Sequence, residues 1–307
     1  MTKVFIDGSA GTTGLRIRER LESRKDLELV ILPEELRKDP SARADALNSS
    51  DVSFLCLPDA AAIEAASFVT DPRAVVIDTS TAHRVAEGWV YGMPELAGQR
   101  DKLKAARQIA NPGCHATGFI ALVAPLVEAG LIRPDARLSC FSLTGYSGGG
   151  KKMIAEYEAG EVPELYRAPR QYGLGRTHKH LPEMAKIAGL EHAPVFCPIV
   201  APYYAGMEVT VPLTPAETSA SPESIKEVYR EYYRSGLIRF AENSDEGGFL
   251  SAGAFAGRDD LQVSVFGTEE RMLLVSRFDN LGKGASGAAI QNMNIVLGMD
   301  ETLGLVV

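Results

Sequence analysis

The sequence predicts an α/β protein in which a doubly wound parallel sheet is followed by an α+β domain with a broad mixed sheet. In the first 80 residues, short apolar runs alternate with helical segments, as in parallel sheets whose strands are joined by helices. Beyond about residue 200, apolar runs with alternating polar residues follow one another, as in antiparallel sheets. A chain of 307 residues with 45% hydrophobic content is long enough for two such domains.

The first domain opens with a strand-turn-helix unit, KVFIDGSAGTTGLRIRERLES. Its strand covers residues 4–6, and its helix carries apolar side chains at Leu15, Ile17 and Leu21. Further strands are expected in the apolar runs at residues 27–32, 52–58 and 74–80. Ala-rich helical stretches separate these runs, so we expect a parallel sheet.

The second domain begins with a helical segment that follows Cys114 and stops at Gly130. A strand then leads into a Gly-rich loop at residues 145–152. Antiparallel strands are predicted at residues 207–213, 261–267 and 271–279. The chain becomes helical again from about Ser286, and we expect this last helix to return to the first domain. The predicted boundaries are therefore 1–112 together with 285–307 for the first domain, and 113–284 for the second.

Composition excludes several classes of protein. A formal net charge of -8 without a basic patch argues against a nucleic-acid-binding protein. The sequence has neither a signal-peptide pattern nor an apolar run near the ~18 residues of a membrane span, so we expect a cytoplasmic protein with no membrane partner. Its four cysteines form no C-x-x-C pair, which argues against a zinc site and a disulfide framework. Cys56, Cys140 and Cys197 lie in apolar runs and are expected to be small buried hydrophobic residues.

The turn after the first strand has the spacing G-x-x-G-x-x-G, a variant of the dinucleotide-binding fingerprint. Gly8, Gly11 and Gly14 would let the backbone approach a pyrophosphate, and Thr12 and Thr13 add hydroxyl donors. The strand and helix on either side give the motif its required context. The sequence therefore favours a nucleotide site over a simple Gly-rich turn.

The residues that would select the dinucleotide are mixed. Glu34 and Glu35 lie about 20 residues beyond the fingerprint, where an acidic side chain accepts a ribose hydroxyl of NAD. Arg37 and Lys38 follow directly and favour the 2'-phosphate of NADP. Local sequence leaves this choice open.

A second Gly-rich loop, GYSGGGKK, matches the spacing of a P-loop as far as Lys151. Lys152 stands where a P-loop needs Ser or Thr for magnesium, which disfavours an ATP-using enzyme. The alternatives are a solvated turn or an anion site, and three consecutive glycines favour the anion site. Its donors would be the backbone around Gly148 and Gly149 and the two lysines.

Cys114 differs from the other cysteines because it lies in ANPGCHATGF, between a Pro-Gly turn and a predicted helix start. A helix N-terminus lowers the pKa of a thiol and favours the thiolate. A nucleophilic cysteine needs a general acid or base, and GRTHKHLPEM supplies His178 and His180, with Glu183 to orient an imidazole. A metal site is disfavoured because no third histidine or cysteine is near. A dinucleotide turn and an activated cysteine together indicate hydride transfer to or from a thioester.

The sequence resembles the short variety of the N-acetyl-gamma-glutamyl-phosphate reductase family over nearly its whole length. The matching segments, in order, are IDGSAGTTGLRIRERL, IDTSTAHRV, ANPGCHATG, GYSGGGKKMI, THKHLPEM and DNLGKGASGAAIQNMN. The resemblance implies a fold like that of aspartate-semialdehyde dehydrogenase, with a Rossmann domain and a catalytic and dimerisation domain. The broad sheet of the second domain suggests subunit contact, and we expect a homodimer or homotetramer. It also implies NADPH as cofactor.

The resemblance further implies a reaction: reduction of N-acetyl-gamma-glutamyl phosphate to N-acetylglutamate 5-semialdehyde, with phosphate release and a thioester on Cys114. His178, in preference to His180, is implied as the acid/base. The implied cofactor residues are Ser80, Asn280, Lys283 and Gly284, in addition to the first Gly-rich turn. Asn111 joins the second Gly-rich loop as an implied substrate or phosphate residue.

Two alternatives accompany this interpretation. A reductase of aspartyl phosphate or N-acetylaminoadipyl phosphate would use the same chemistry with a different substrate pocket. A nucleotide-sensing regulatory protein would have lost its catalytic residues, and the presence of Cys114, His178 and His180 argues against it.

Overall fold

The computed structural model describes all 307 residues, which form two compact units. Unit 1 consists of Met1–Pro94, Gly98–Pro112 and Ala285–Leu305. Unit 2 consists of Glu95–Ala97, Gly113–Gly284 and Val306–Val307. None of the helices combines the length and the apolar character that a membrane span requires.

Unit 1 is built on a six-stranded sheet. Its strands are β1 (Thr2–Asp7), β2 (Leu27–Val30), β3 (Val52–Leu55), β4 (Val75–Asp78), β5 (Val90–Tyr91) and β6 (Gln108–Ala110). Their order is β2-β1-β3-β4-β6-β5, and every pair is parallel. The predicted parallel sheet is therefore confirmed.

The protein has nine α-helices. They are α1 (Thr12–Leu21), α2 (Pro40–Ser49), α3 (Asp59–Ser67), α4 (Gln99–Ala105), α5 (Cys114–Glu128), α6 (Gly150–Tyr157), α7 (Leu181–Ala188), α8 (Pro222–Tyr232) and α9 (Gly287–Val296). In unit 1, two apolar clusters cover the sheet: one includes Ile17 of α1 and Met293 of α9, and the other includes Leu47 of α2 and Ala65 of α3. The last helix thus completes the core of unit 1. Leu15 is 40% exposed and lies outside the apolar face of α1.

Unit 2 is built on a seven-stranded sheet. Its strands are β7 (Ser139–Gly145), β8 (Arg170–Gln171), β9 (Val195–Ala201), β10 (Met207–Leu213), β11 (Ile238–Phe240), β12 (Leu261–Thr268) and β13 (Arg271–Phe278). Their order is β11-β12-β13-β10-β7-β9-β8. The pairs β7/β9 and β11/β12 are parallel and the others antiparallel, so the predicted broad mixed sheet is confirmed.

Helix α5 lies against this sheet at close range. A Cβ added to Gly118 would meet Val209 Cγ2 at 2.5 Å and Ser276 Oγ at 2.8 Å. The Ser276 hydroxyl also donates to the Gly118 carbonyl at 3.2 Å. Only glycine permits this approach, which places the first residue of the helix, Cys114, over the sheet.

The expectation that three cysteines are buried is correct for one of them. Cys140 of β7 is fully buried, and burial raises the pKa of its thiol. Cys56 and Cys197 are half-buried. Cys197 alternates along β9 with the buried Phe196, so it lies on the opposite face of the sheet.

Candidate active site

Cys114 is the first residue of α5, as the Pro-Gly turn predicts. The N-cap residue, Gly113, is extended (φ -81°, ψ 145°), and no side chain caps the helix. Its carbonyl accepts hydrogen bonds from the backbone and the hydroxyl of Thr117 at 2.8 and 3.0 Å. The thiol therefore stands at the positive end of a 15-residue helix, a position that favours the thiolate.

Three of the five histidines cluster around His115, the residue that follows Cys114. The ring centroids of His178 and His180 are 4.7 Å apart, and each is 5.6 Å from that of His115. Phe196 of β9 closes the group, 5.2 Å from His115 and 5.0 Å from His178. Segments that are about 60 residues apart in sequence thus meet at the start of α5.

The His-Lys-His segment is arranged by its own backbone and by Glu183. His178 Nδ1 accepts the backbone N–H of His180 at 3.2 Å, so the hydrogen of a neutral His178 ring lies on Nε2. His180 is buried, with Nε2 4.0 Å from Glu183 Oε1. The other Glu183 oxygen accepts the backbone N–H of Gly113 at 3.3 Å. Glu183 therefore links the histidine segment to Gly113, the residue that precedes Cys114.

His115 is a member of this cluster that sequence analysis missed. It is 3% exposed, with Nδ1 2.7 Å from Ser142 Oγ and Nε2 2.7 Å from the Tyr172 hydroxyl. Burial, reinforced by His178, lowers the pKa of His115 to about 3, so its ring is neutral near pH 7. Adjacency to Cys114 was the one sequence signal that pointed to it, whereas nothing local marked Ser142 or Tyr172.

A π-helical turn, Gly282–Ser286, lies against Cys114. A Cβ on Gly284 would be 2.9 Å from the Cβ of Cys114. Lys283 is 1% exposed, and its Nζ lies 2.7 Å from Glu95 Oε1, 188 residues away in sequence. Asn280 donates to Ser147 Oγ at 2.9 Å and accepts the Gly206 N–H at 3.0 Å. The Asn280 and Lys283 side chains thus make internal bonds that hold this turn.

The second Gly-rich loop forms a helix start. A 3₁₀ turn, Tyr146–Gly149, leads into α6, and Gly150 has a left-handed φ of 75°. Lys151 and Lys152 are exposed in the first turn of α6, whose N-cap carries no side-chain hydrogen bond. A Cβ on Gly149 would meet Met153 Sδ at 2.5 Å, and one on Gly148 would meet Thr144 Oγ1 at 3.2 Å. The loop therefore has the backbone donors and the cations of an anion site.

The first Gly-rich turn has the geometry that a dinucleotide requires. Gly8 has a φ of +86°, and a Cβ there would lie 2.3 Å from the carbonyl oxygen of Cys56. A Cβ on Gly14 would lie 2.4 Å from the Gly8 carbonyl oxygen. Helix α1 begins at Thr12 after the N-cap Gly11, without a side-chain cap. Its first N–H groups have no side-chain acceptor, so this cradle fits a pyrophosphate.

Other residues named from the sequence lie in unit 1. Ser80 is buried and donates to Asp78 Oδ2 at 2.7 Å. Asn111 is buried and donates to the Ala285 carbonyl at 3.0 Å. The charged residues that bear on the choice between NAD and NADP lie in or just after the 3₁₀ segment Glu34–Leu36, and all are exposed. They are Glu34, Glu35, Arg37 and Lys38. No group of three or more His, Cys, Asp or Glu side chains is arranged to hold a metal ion.

Two family models match the chain. Residues 33–106 match the model described as semialdehyde dehydrogenase, NAD binding domain, and residues 114–280 match the semialdehyde dehydrogenase, dimerisation domain. Among solved structures, aspartate semialdehyde dehydrogenase II from Vibrio cholerae, complexed with ASA, has a TM-score of 0.72 at 16% identity, over 97% of this chain and 98% of that one. Aspartate semialdehyde dehydrogenase with NADP from Candida albicans has a TM-score of 0.69 at 17% identity, over 97% and 98%. Fold and domain models together define a protein of the semialdehyde dehydrogenase class.

Proteins that are more similar in sequence identify one family within this class. N-acetyl-gamma-glutamyl-phosphate reductase 2 from Nostoc sp. is 45% identical, over 99% of both chains. N-acetyl-gamma-glutamyl-phosphate reductase from Brucella ovis is 46% identical, over 96% of this chain and 99% of the relative. The chain belongs to the N-acetyl-gamma-glutamyl-phosphate reductase family.

Proposed function

We propose that this protein reduces N-acetyl-gamma-glutamyl phosphate to N-acetylglutamate 5-semialdehyde, with NADPH as the reductant and release of phosphate. The names of relatives at 45–46% identity support the substrate. The observation that carries the chemistry is the position of Cys114, at the N-terminus of a buried helix and beside clustered histidines. Such a thiol is suited to attack an activated acyl group.

In the first step, the Cys114 thiolate attacks the acyl carbon of the acyl phosphate. The carbon–sulfur bond forms, the carbon–oxygen bond to phosphate breaks, and a thioester remains on the enzyme. The uncapped N–H groups at the start of α5 stabilise the oxygen charge that develops in this attack. Burial of the helix supplies the low dielectric that strengthens this effect.

When bound, NADPH supplies a hydride to the thioester carbon. The resulting thiohemiacetal collapses as its carbon–sulfur bond breaks, which releases the semialdehyde and returns the thiolate. We assign the proton handling to Nε2 of His178, because its Nδ1 is occupied by the His180 backbone. Glu183 and His180 orient this segment relative to the Gly113–Cys114 turn.

The phosphate group of the substrate is assigned to the second Gly-rich loop. Lys151 and Lys152 supply positive charge there, and the backbone around Gly148 and Gly149 supplies N–H donors. Asn111 is the remaining proposed substrate residue, although its amide hydrogen bonds to the Ala285 carbonyl in this structure.

The dinucleotide is assigned to residues 1–112 with 285–307, and catalysis to residues 113–284. Gly8, Gly11 and Gly14 form the pyrophosphate cradle, with hydroxyl donors from Thr12 and Thr13.

Four more residues are assigned to the cofactor. We retain Ser80 as a contact, although its hydroxyl is donated to Asp78. Asn280 and Lys283 are assigned to the cofactor through the backbone of the turn that they hold, since both side chains have internal partners. Gly284 lies in the same turn.

We also propose a homodimer formed through the open face of the unit 2 sheet, as the dimerisation model for residues 114–280 supports. This face presents Phe141 (43% exposed), Val195 (57%) and Leu273 (43%). Adjacent residues of the same strands point inward toward the helices. A second copy would cover this apolar surface. A homotetramer would pair two such dimers.

We also propose that the protein is cytoplasmic, since its four cysteines are free thiols, as is usual in a reducing compartment.

The substrate is tested in the reverse direction, with purified protein, phosphate and NADP. N-acetylglutamate semialdehyde should support NADP reduction, and aspartate semialdehyde should not. N-acetylaminoadipate semialdehyde is the second comparison. If only the aspartate compound or only the aminoadipate compound is oxidised, the proposed substrate is wrong, even though the chemistry remains.

A further inference from the structure

Four tyrosines and one arginine form a cluster at the second Gly-rich loop, and the proposed reaction does not use it. The Tyr146 ring stacks on the Tyr157 ring, with centroids 4.7 Å apart and planes 5° from parallel. Cζ of Arg170 lies 3.4 Å from the centroid of the Tyr166 ring and 5.3 Å from that of the Tyr157 ring. The Tyr204 ring is nearly perpendicular to that of Tyr146, at 5.7 Å. Since Tyr146 is part of the 3₁₀ turn in that loop, the cluster contacts the loop directly.

Helix α6, which follows this turn, has one buried side chain. That residue is Tyr157, at the end of the helix. The helix has only eight residues, begins with glycine and has no side-chain cap, so it is too short to be stable by itself. The stack of Tyr157 on Tyr146 joins the end of the helix to the turn that precedes it. Lys151 and Lys152 lie between these two residues in sequence, so the position of both lysines depends on the stack.

Arg170 connects Tyr157 to the sheet of unit 2. Its Nε and Nη2 donate to the Tyr157 hydroxyl oxygen at 3.2 and 2.8 Å. A planar guanidinium can stack on Tyr166 and donate to Tyr157 at the same time, and its charge strengthens the hydrogen bonds. The backbone of Arg170 lies in β8, where it pairs with Val200 of β9. Contacts therefore run without a break from β9 through Arg170 and Tyr157 to Tyr146 in the loop.

We infer that Arg170 and Tyr157 are positioning residues that hold the second Gly-rich loop and the first turn of α6 in the conformation that receives phosphate. The inference rests on the proposed assignment of the phosphate group to this loop. Three consecutive glycines give the loop many alternative conformations, and backbone N–H groups converge on an anion in few of them. Without the cluster, the binding conformation would be less populated, and the affinity for phosphate would fall by the same factor.

The first measurement is the KM for inorganic phosphate in phosphate-dependent NADP reduction by the full-length protein. Tyr157→Leu removes the stack and the hydrogen-bond acceptor, and Arg170→Gln removes the guanidinium. We expect each to raise the phosphate KM about tenfold, since an aromatic pair or a hydrogen bond from a charged group is worth roughly a factor of ten in an equilibrium constant. The KM for the semialdehyde and kcat at saturating phosphate should not change. Arg230→Gln is the matched control, because Arg230 also lies over a ring, that of Phe240 at 5.3 Å, but on α8.

The second measurement is the rate at which trypsin cuts after Lys151 and Lys152 in the absence of substrate and dinucleotide, followed by mass spectrometry. Both lysines are exposed, and a protease cuts a helix only when the helix opens locally. Tyr157→Leu and Arg170→Gln should raise the rate about tenfold, and Arg230→Gln should not. Tyr157→Phe keeps the stack but loses the hydrogen-bond acceptor, so its rate should lie between those of the wild type and Tyr157→Leu. Arg170→Gln changes a half-buried side chain and carries the test if Tyr157→Leu does not fold.

The double variant Arg170→Gln/Tyr157→Leu decides whether Arg170 acts through Tyr157. We expect it to match Tyr157→Leu alone, and additive effects on the cleavage rate would overturn the inference. A wild-type phosphate KM or a wild-type cleavage rate in Arg170→Gln would also overturn it, while the proposed function would stand. If instead the wild-type protein shows no phosphate-dependent NADP reduction, the proposed function is wrong, and the cleavage rates still decide whether Arg170 and Tyr157 hold the loop.

Discussion

Substitution Gly284→Ala tests whether the π-helical turn positions the nucleophile. The added Cβ would lie 2.9 Å from Cys114 Cβ, 3.1 Å from the Asp279 carbonyl oxygen and 3.3 Å from Phe278 Cε2. Carbon atoms in contact are normally about 3.5–4.0 Å apart. Neither a Cβ nor a carbonyl oxygen can move by a change of rotamer, so the turn or the start of α5 must shift by roughly 0.5–1 Å.

The expected magnitudes follow from this overlap. Overpacking of a buried site costs about 1–3 kcal/mol of unfolding free energy. A displacement of about 1 Å at a reacting group costs up to about 100-fold in rate. We therefore expect Gly284→Ala to lose about 1–3 kcal/mol in urea unfolding and about 10–100-fold in kcat.

Gly160→Ala is the matched control, because a Cβ there meets nothing within 4 Å and its φ is not in the left-handed region. Both variants are measured by phosphate-dependent NADP reduction and by urea unfolding. Wild-type kcat in Gly284→Ala would refute the positioning argument. So would an equal loss of activity in Gly160→Ala, because the effect would then not depend on contact with Cys114.

Four further predictions address the nucleophile, the acid/base, the buried histidine and the subunit contact. Cys114→Ala should abolish turnover while NADPH still binds, as measured by fluorescence titration; substantial residual turnover would rule out the thioester. His178→Asn should reduce kcat/KM about 100-fold or more, a typical general acid/base contribution; a larger loss in His180→Asn would reverse the two assignments. The pKa of His115 is about 3 in the folded protein against an ordinary value of 6.5, so the unfolded chain binds the extra proton and stability falls as pH drops below 6.5. Between about pH 7 and about pH 5, protonation of His115 in the unfolded chain should lower the free energy of unfolding by about 2 kcal/mol. In urea unfolding of His115→Gln this part of the pH dependence should be absent, and a pH dependence equal to that of the wild type would contradict the prediction. If the proposed dimer forms through the open face of the unit 2 sheet, Phe141→Asp should yield monomers in light scattering, and a mass equal to that of the wild type would contradict a contact at this face.

Local sequence located the longer strands, but it did not predict the short strands β5, β6, β8 and β11. Apolar runs with a helix between them located the parallel strands, because side-chain periodicity is set by the backbone geometry of each element. The fingerprint turn around Gly8 was identified for the same reason, since a left-handed φ requires glycine. The exposure of Leu15 and the partial exposure of Cys197 were not predicted, because an apolar residue type does not reveal which face of its element is covered.

The candidate site was only partly predictable. The Pro-Gly turn correctly predicted that Cys114 lies at a helix start. The His-Lys-His segment provided two candidate acid/base residues for Cys114. The contact between His115 and Tyr172 was not predictable, because a hydrogen bond between residues 57 positions apart leaves no local pattern. The same applies to the ion pair between Lys283 and Glu95, which joins residues 188 positions apart.

The sequence by itself determined the two types of sheet, the glycine cradle and a cysteine at a helix N-terminus, because each depends on the conformational preferences of adjacent residues. Tertiary structure alone decided which groups surround that cysteine. Packing of α5 on the sheet, permitted by Gly118, brings His115 to Ser142, and the loop after β8 brings Tyr172 and the histidine pair to the same point. Burial then makes the imidazole neutral near pH 7, an effect that exists only once water has been excluded.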